Sequence, residues 1–179
     1  MKSYIGVGTG SAANAVSEAT RGLQSPEAII FIAPYDYMQE VARLLQEQYP
    51  QTPAIGTIGT KLVNGQVSDK NVSVLGLFSD AKVRCGIIEN ISECPVVAVK
   101  DIERKIAEVA PGKDNTVCIE FCTGEEEKLV TTFTSCLAKK GVRWPAELRS
   151  ERRKENRPWW PIMGKYMRMP VLMPLSKIR

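Results

Sequence analysis

AIIFIA, residues 28–33, is an unbroken run of six apolar residues between Pro26 and Pro34. Isoleucine and phenylalanine, which supply four of the six, are enriched in β-strands. A strand with one solvated face alternates apolar and polar residues, whereas an unbroken apolar run is typical of a strand buried on both faces. The stretch therefore predicts an interior strand of a sheet that is covered on both faces.

Helices are predicted on both sides of this strand. Residues 2–8 are predicted to form a first strand, and the helix after it has one small and apolar face, made of Ala15, Val16, Ala19 and Leu23. After the central strand, Pro34-Tyr35-Asp36 turns into a second helix whose core-facing residues are Val41, Leu44 and Leu45. Asp36 is predicted to cap this helix, with Gln39 placed as in a capping box.

The rest of residues 1–142 continues as strands and helices. Strands are predicted at 54–58, 71–78, 83–88 and 116–121, with a hairpin-type turn at Asn64-Gly65. Helices are predicted at 96–109 and from the acidic run at 125–127 to Gly141. The predicted fold class is α/β, a mixed β-sheet flanked by helices in the order β-α-β-α-β-β-β-α-β-α.

Composition excludes several classes of function. The chain contains no histidine, which removes the histidine-dependent nucleophile pairs and the usual zinc ligand sets. We therefore predict no catalytic residues, no metal site and no cofactor. No run of about 18 apolar residues and no signal-peptide pattern is present, so we expect no membrane span and a cytoplasmic protein.

The composition changes at residue 142. Residues 143–179 hold ten Lys and Arg against three acidic residues, which leaves fourteen against seventeen in residues 1–142. The tail also holds all three tryptophans and five of the eleven prolines. A nucleic-acid arm, a membrane-surface segment and a sequence without a selected fold are the alternatives. Because no nucleic-acid motif and no sustained helical face is found, we predict a domain at 1–142, a poorly ordered tail at 143–179, and no nucleic-acid partner.

Glycines between the first strand and first helix form one candidate site. Gly6-x-Gly8-x-Gly10 resembles a dinucleotide loop, in which the backbone and a helix N-terminus hold phosphate. The third glycine of that motif falls at Ser11, so a plain tight turn is the alternative. Asp36 lies where a ribose-binding acid is found in such folds, and its other interpretation is the helix cap. These residues support the alternative of a nucleotide-cofactor-binding enzyme.

A second glycine-rich stretch follows the third strand. Gly56-Thr57-Ile58-Gly59-Thr60 is either a cradle for a ligand or only the end of a strand. Since the hairpin signal Asn64-Gly65 follows it and a helical pattern does not, a phosphate cradle is disfavoured.

Two further clusters of side chains are candidates for a metal site or for catalysis. Cys118, Glu120 and Cys122 alternate along one strand and share a face, but without a histidine or a Cys-x-x-Cys pair they indicate structural thiols before a metal site. The five cysteines as a set are interpreted as reduced thiols. The three glutamates at 125–127 are interpreted as a solvated first helical turn before paired catalytic carboxylates.

Residues 54–77, AIGTIGTKLVNGQVSDKNVSVLGL, resemble the N-terminal region of FIST domains. The helix start Gly10-Ser11-Ala12-Ala13-Asn14-Ala15 and the run at 28–33 fit the same order, so the resemblance covers about residues 3–142. It implies a sensory module that binds a small molecule such as an amino acid and has no established catalytic residues. On this basis Gly8, Gly10, Ser11, Asp36, Gly56, Thr57, Gly59 and Thr60 are the predicted ligand-binding residues.

The resemblance also gives an expectation for the tail. A FIST chain continues after the last predicted helix with a small-residue segment similar to Pro-Val-Ala-Gly-Gly-Thr. The codons of residues 142–147, read from the third base of each, can spell that segment. We therefore expect a frameshifted tail and a truncated domain, which leaves the sheet incomplete and makes a non-functional fragment a further alternative.

Overall fold

The computed structural model describes residues 2–59, 61–63, 66–68, 71–78, 82–86, 95–110, 116–119, 121–122, 126–138, 148–149 and 171–173. These residues fall into two compact units. The first contains the described residues up to 78, and the second contains those from 82 onward. Each unit is described by itself below.

The first unit contains six strands and two α-helices. The strands are β1 (Lys2–Gly8), β2 (Ala28–Ala33), β3 (Ala54–Ile58), β4 (Lys61–Val63), β5 (Gln66–Ser68) and β6 (Val72–Phe78). The helices are α1 (Ala12–Ala19) and α2 (Met38–Gln48), with a 3-10 helix at Tyr35–Tyr37 directly before α2. The predicted strands at 2–8, 28–33, 54–58 and 71–78 are confirmed.

Four of these strands form a mixed sheet in the order β1-β6-β2-β3. β6 is antiparallel to both β1 and β2, and β3 is parallel to β2. The run at 28–33 is thus an interior strand, as predicted, and five of its six residues are buried. The predicted α/β class with a mixed sheet and flanking helices is confirmed.

Both helices lie on the same face of this sheet. The crossovers from β1 to β2 and from β2 to β3 advance in one direction along the strand order, and right-handed crossovers then place their helices on one side. Contacts between α1 and α2 agree with this arrangement. The core between the helices and the sheet contains Val16, Ile29, Phe31, Val41, Leu45, Val72 and Val74. Alternation along the strands directs Ile5, Ile30, Ile55 and Leu75 to the second face.

Two short strands, which the sequence does not predict, flank the predicted hairpin-type turn. β4 and β5 pair antiparallel, and their last pair is Val63 with Gln66. Two residues therefore connect the strands, the length that Asn-Gly favours. Asn64 and Gly65 themselves lie outside the described residues.

The second unit contains two helices and short strand pairs. The helices are α3 (Pro95–Val109) and α4 (Glu126–Ala138), and the strands are β7 (Val117–Ile119), β8 (Phe121–Cys122), β9 (Leu148–Arg149) and β10 (Val171–Met173). β7 pairs antiparallel with β10, and β8 pairs parallel with β9. The buried side chains include Ile102, Ile106, Val109, Cys118 and Cys136.

The predicted strand at 83–88 is wrong over its described part. Residues 82–86 have no regular secondary structure, and 87–88 lie outside the described residues. The Arg84 guanidinium donates to the Val83 carbonyl at 2.9 Å and to Glu108 of α3 at 2.7 Å. The bond from the Arg84 side chain to the Val83 carbonyl competes with strand pairing at this position.

Other predicted boundaries are shifted. The strand predicted at 116–121 is divided, because β7 and β8 pair with different strands. Leu23 is buried as predicted but follows the end of α1. Among residues 143–179 the structure describes only β9 and β10, so the prediction for the rest of the tail lies outside the described residues. Within the described part of the chain, no helix has the length and apolar content that a membrane crossing requires.

Candidate functional site

The carboxyl ends of β1, β2 and β3 meet at one edge of the sheet. β1 and β2 are both antiparallel to β6, and β3 is parallel to β2, so the three strands run in one direction. The segments that leave them carry Gly10 and Ser11, Asp36, and Gly59. Binding residues are concentrated on loops that a rigid scaffold positions, as in the loops that follow the strands of α/β barrels. This edge is therefore the candidate site, and four residues predicted from separate parts of the sequence lie there.

Gly8 has a packing role instead. A Cβ at Gly8 would overlap the carbonyl of Ala15, and a Cβ at Gly6 would overlap that of Ala19. Both glycines face α1, so their spacing lets the helix lie directly on the β1 backbone. The Gly-x-Gly pattern indicates close strand–helix packing at these positions.

Gly10 and Ser11 shape the start of α1. Gly10 has φ +93°, a conformation that favours glycine, and a Cβ there would meet little. Ser11 is the N-cap of α1, and its Oγ accepts from the Asn14 amide at 3.3 Å. The amides of Ala12 and Ala13 precede the first intrahelical donor, and they give this helix end a partial positive charge. The Ser11 hydroxyl is thus committed to the helix, while backbone donors remain at the edge.

A carboxylate lies beside this glycine loop. Glu18 Oε2 accepts from the Thr9 backbone amide at 3.0 Å. A negative charge at the loop opposes the binding of any second anion, and it opposes a pyrophosphate, with about two negative charges, more strongly than a single carboxylate. The arrangement disfavours the dinucleotide interpretation of Gly6-x-Gly8-x-Gly10.

Asp36 is not a helix cap. It lies in the 3-10 helix, and neither that helix nor α2 has a side-chain cap. The chain passes from one helix directly into the next, so the amides of Tyr37 and Met38 donate to the carbonyls of Pro34 and Tyr35. The Asp36 carboxylate therefore has no cap to form. It is exposed, and no described residue donates a hydrogen bond to it.

The second glycine stretch is divided between strand and edge. Gly56 is inside β3, where a Cβ would overlap the buried Phe31 ring, and Thr57 is a buried β3 residue on the other face. Gly59 follows β3, and its amide donates to the Ala33 carbonyl at 3.2 Å. Thr60 lies outside the described residues. Among the described residues of this stretch, only Gly59 lies at the candidate site.

A groove lies between α1 and α2, and no pattern in the sequence predicts it. It has a volume of about 650 Å³ and is lined in part by Val16, Leu44, Glu47 and Gln48. Thr20 is 3% exposed, and its hydroxyl lies 2.8 Å from the Val16 carbonyl and 3.2 Å from Gln48 Oε1. These residues are at the C-terminal ends of both helices, opposite the candidate site. Thr20 and Gln48 lie on two different helices, and only the packing of the helices brings the two residues together. The sequence therefore gives no sign of a shared groove.

The cysteines give no metal centre within the residues that the structure describes. Cys118 and Cys136 are buried, Cys85 is half-buried, and none of the three forms a disulfide with another described residue. Among the same residues, no three potential ligands lie close enough together to hold a metal ion. Glu120, Glu125 and the side chain of Cys122 lie outside the described residues.

Comparison with known protein families identifies the family of this chain. The model of the FIST N domain matches residues 28–144, about two thirds of the chain. The match includes β2 to β6 and all the described residues of the second unit up to α4. No curated protein matches the chain.

Proposed function

The chain belongs to the FIST N domain family, and on that premise we propose that it binds a small molecule, in particular an amino acid, at the carboxyl edge of its sheet. FIST domains form a family of sensory domains of signal transduction. We propose that the chain acts by binding and not by catalysis, and that it does so in the cytoplasm without nucleic acid. The observation that carries the proposal is the placement of Gly10, Ser11, Asp36 and Gly59 at one end of three parallel strands.

The chemistry of this edge supports a zwitterion. The first amides of α1 offer donors and a partial positive charge to a carboxylate. Asp36 offers an exposed negative charge to an ammonium group. Gly59 keeps the exit of β3 free of a side chain. An α-amino acid carries an ammonium group and a carboxylate on the same carbon atom, so it presents both charges together.

Ligand screening by thermal shift tests the proposal. A ligand that binds only the folded state stabilises it by RT ln(1 + [L]/Kd), about 2.7 kcal/mol at one hundred times Kd. We expect the full chain to be stabilised by one or a few of the amino acids, and not by NAD, NADP or flavin nucleotides. Stabilisation by a nucleotide alone would favour the cofactor-binding enzyme, although the Glu18 carboxylate beside the glycine loop argues against it.

A pair of substitutions locates the site. Asp36→Asn removes the charge proposed to meet the ammonium group, and we expect at least about tenfold weaker amino-acid binding because hydrogen bonds to charged groups contribute about 1.5–3 kcal/mol. Glu27→Gln is the matched control. Glu27 is exposed and precedes β2, so it lies at the opposite end of the same strand. Isothermal titration would contradict this site if the two substitutions had equal effects.

A further inference from the structure

We propose that β1 is a self-complementary edge through which two copies of this chain pair antiparallel about a two-fold axis at Ile5. β1 is at the end of the described four-stranded sheet and pairs on one side with β6. Among the described strands none pairs with its other side. Strand edges of this kind present main-chain donors and acceptors that another strand can use.

Ile5 marks the centre of the edge. It is the middle residue of the seven-residue strand Lys2–Gly8 and is 74% exposed. Antiparallel pairing about this residue places Ile5 opposite Ile5 of the second copy, on the sheet face away from the helices. Directly opposed side chains in antiparallel strands have Cβ atoms about 4.5–5.5 Å apart. The pairing would therefore bury the most exposed apolar side chain of β1 against its own copy.

The same register brings opposite charges together. With Ile5 opposite Ile5, Lys2 of the second copy lies opposite Gly8, and even-numbered residues of β1 face the helices. Glu18 lies on the side of α1 away from α2, and its carboxylate already reaches the Thr9 amide next to Gly8. A lysine side chain one strand away, about 4.8 Å, is within reach of that carboxylate. The two-fold axis forms this Lys2–Glu18 pair twice.

Steric access along this edge is also favourable. Opposite the Gly6 and Gly8 positions, which have no side chains, the second copy places Tyr4 and Lys2. α1 lies over Gly6 and Gly8 on the helix side of the sheet, whereas Ile5 lies on the other face, so α1 does not cover the position at which the two Ile5 side chains meet. A closed two-fold pair uses the same surface on both copies and ends there.

Oligomeric state tests the proposal on the full chain. We expect sedimentation of the wild type at tens of micromolar to give the mass of two chains, and Ile5→Lys to give the mass of one, because it places two charges together at the axis. Val97→Lys is the control, since Val97 is 75% exposed on α3 and lies outside the edge. A wild-type monomer, or a dimer that survives Ile5→Lys, would overturn the proposal.

Charge reversal tests the register. Lys2→Glu should weaken dimerisation by about tenfold, since two surface ion pairs become two repulsions. Combining it with Glu18→Lys should restore dimerisation, and circular dichroism of each variant checks that the fold is kept. Failure of the double variant to recover with an intact fold would exclude this register. Oxidation of Ile5→Cys should also link two chains covalently, whereas Val97→Cys should not.

Discussion

At the scale of single residues, four of the glycines that the structure describes have three different roles. Gly6 and Gly8 let α1 lie on β1, Gly10 provides a positive φ, and Gly56 leaves space for a ring. The sequence shows all of them as spacings compatible with a ligand loop. Their roles were not predictable from it, because the atoms that a Cβ would meet belong to segments distant along the chain.

Gly56 gives a prediction at this scale. Gly56→Ala would place a methyl group within the ring of Phe31, which is 3% exposed and enclosed by the core. We expect the free energy of unfolding to fall by about 1–3 kcal/mol, the usual cost of overpacking. Denaturant unfolding measures the change.

Two comparisons isolate the cause. In a Phe31→Leu background the cost of Gly56→Ala should be smaller, as expected for residues in contact. Gly59→Ala should cost less than Gly56→Ala, since its methyl group would meet one atom, Ile32 Cγ2 at 3.1 Å, whereas that of Gly56→Ala would meet three Phe31 ring atoms at 2.3–2.5 Å. Equal costs in the two Phe31 backgrounds would show that the ring is not the obstacle.

At the scale of elements, side-chain hydrogen bonds join the ends of helices to connections. The Tyr49 hydroxyl, directly after α2, donates to the Leu23 carbonyl at 2.9 Å, in the connection between α1 and β2. Thr52 Oγ1 donates to the Pro26 carbonyl at 2.9 Å in the same connection. These bonds fix the chain where it enters β2, a role that periodicity does not predict.

Tyr49→Phe tests this link. We expect a loss of about 1 kcal/mol at neutral pH, because the Leu23 carbonyl loses its donor. Tyr37→Phe is the control, since no described residue bonds to that hydroxyl, and it should keep wild-type stability. Equal losses of stability in the two variants would show that the hydrogen bond from Tyr49 to Leu23 does not stabilise the fold.

The same link carries a pH dependence. Burial raises the pKa of Tyr49 above its ordinary value of 10.0, against the hydrogen bond with Thr20, which lowers it. The unfolded chain therefore releases this proton first, and stability from Tyr49 is present below about pH 10 and declines as pH rises toward the folded pKa. Denaturant unfolding from pH 8 to 11 should show the difference between wild type and Tyr49→Phe shrinking above pH 10.

At the scale of the whole molecule, the family match and the composition change come close together. The FIST N match ends at residue 144, and the basic, tryptophan-rich composition begins at 143. We propose that residues from about 142 are read out of frame and that the functional form has the other reading. The non-functional fragment is the remaining alternative for the chain as it stands.

Sequencing the gene around codon 142 tests this proposal. We expect the reading frame that begins at the third base of each codon to continue the chain after Gly141 with Pro-Val-Ala-Gly-Gly-Thr. An open frame similar to FIST domains should follow. The frame-restored chain should be more soluble and more stable than residues 1–179, because additional strands would cover sheet edges. A uniform in-frame transcript with an early stop in the displaced frame would refute it.

The sequence by itself determined the local elements and the fold class. Apolar runs and helical periodicity identified the central strand at 28–33, a helix after Asp36, a helix at 96–109, and the mixed sheet, because each pattern reflects the burial of nearby residues. It also supplied the residues of the candidate site, one by one. Thr20, Gln48 and Tyr49, which meet beside the α1–α2 groove, gave no such pattern.

Only the tertiary structure decided which of those residues share a place. The insertion of β6 between β1 and β2 makes β1, β2 and β3 parallel, and this brings Gly10, Ser11, Asp36 and Gly59 to one edge. The tertiary structure also places α1 against Gly8 and the Phe31 ring against Gly56, and it leaves β1 at the end of the sheet. The physical reason is that a strand's own sequence specifies which residues are buried, whereas its neighbours and direction follow from pairing with segments tens of residues away.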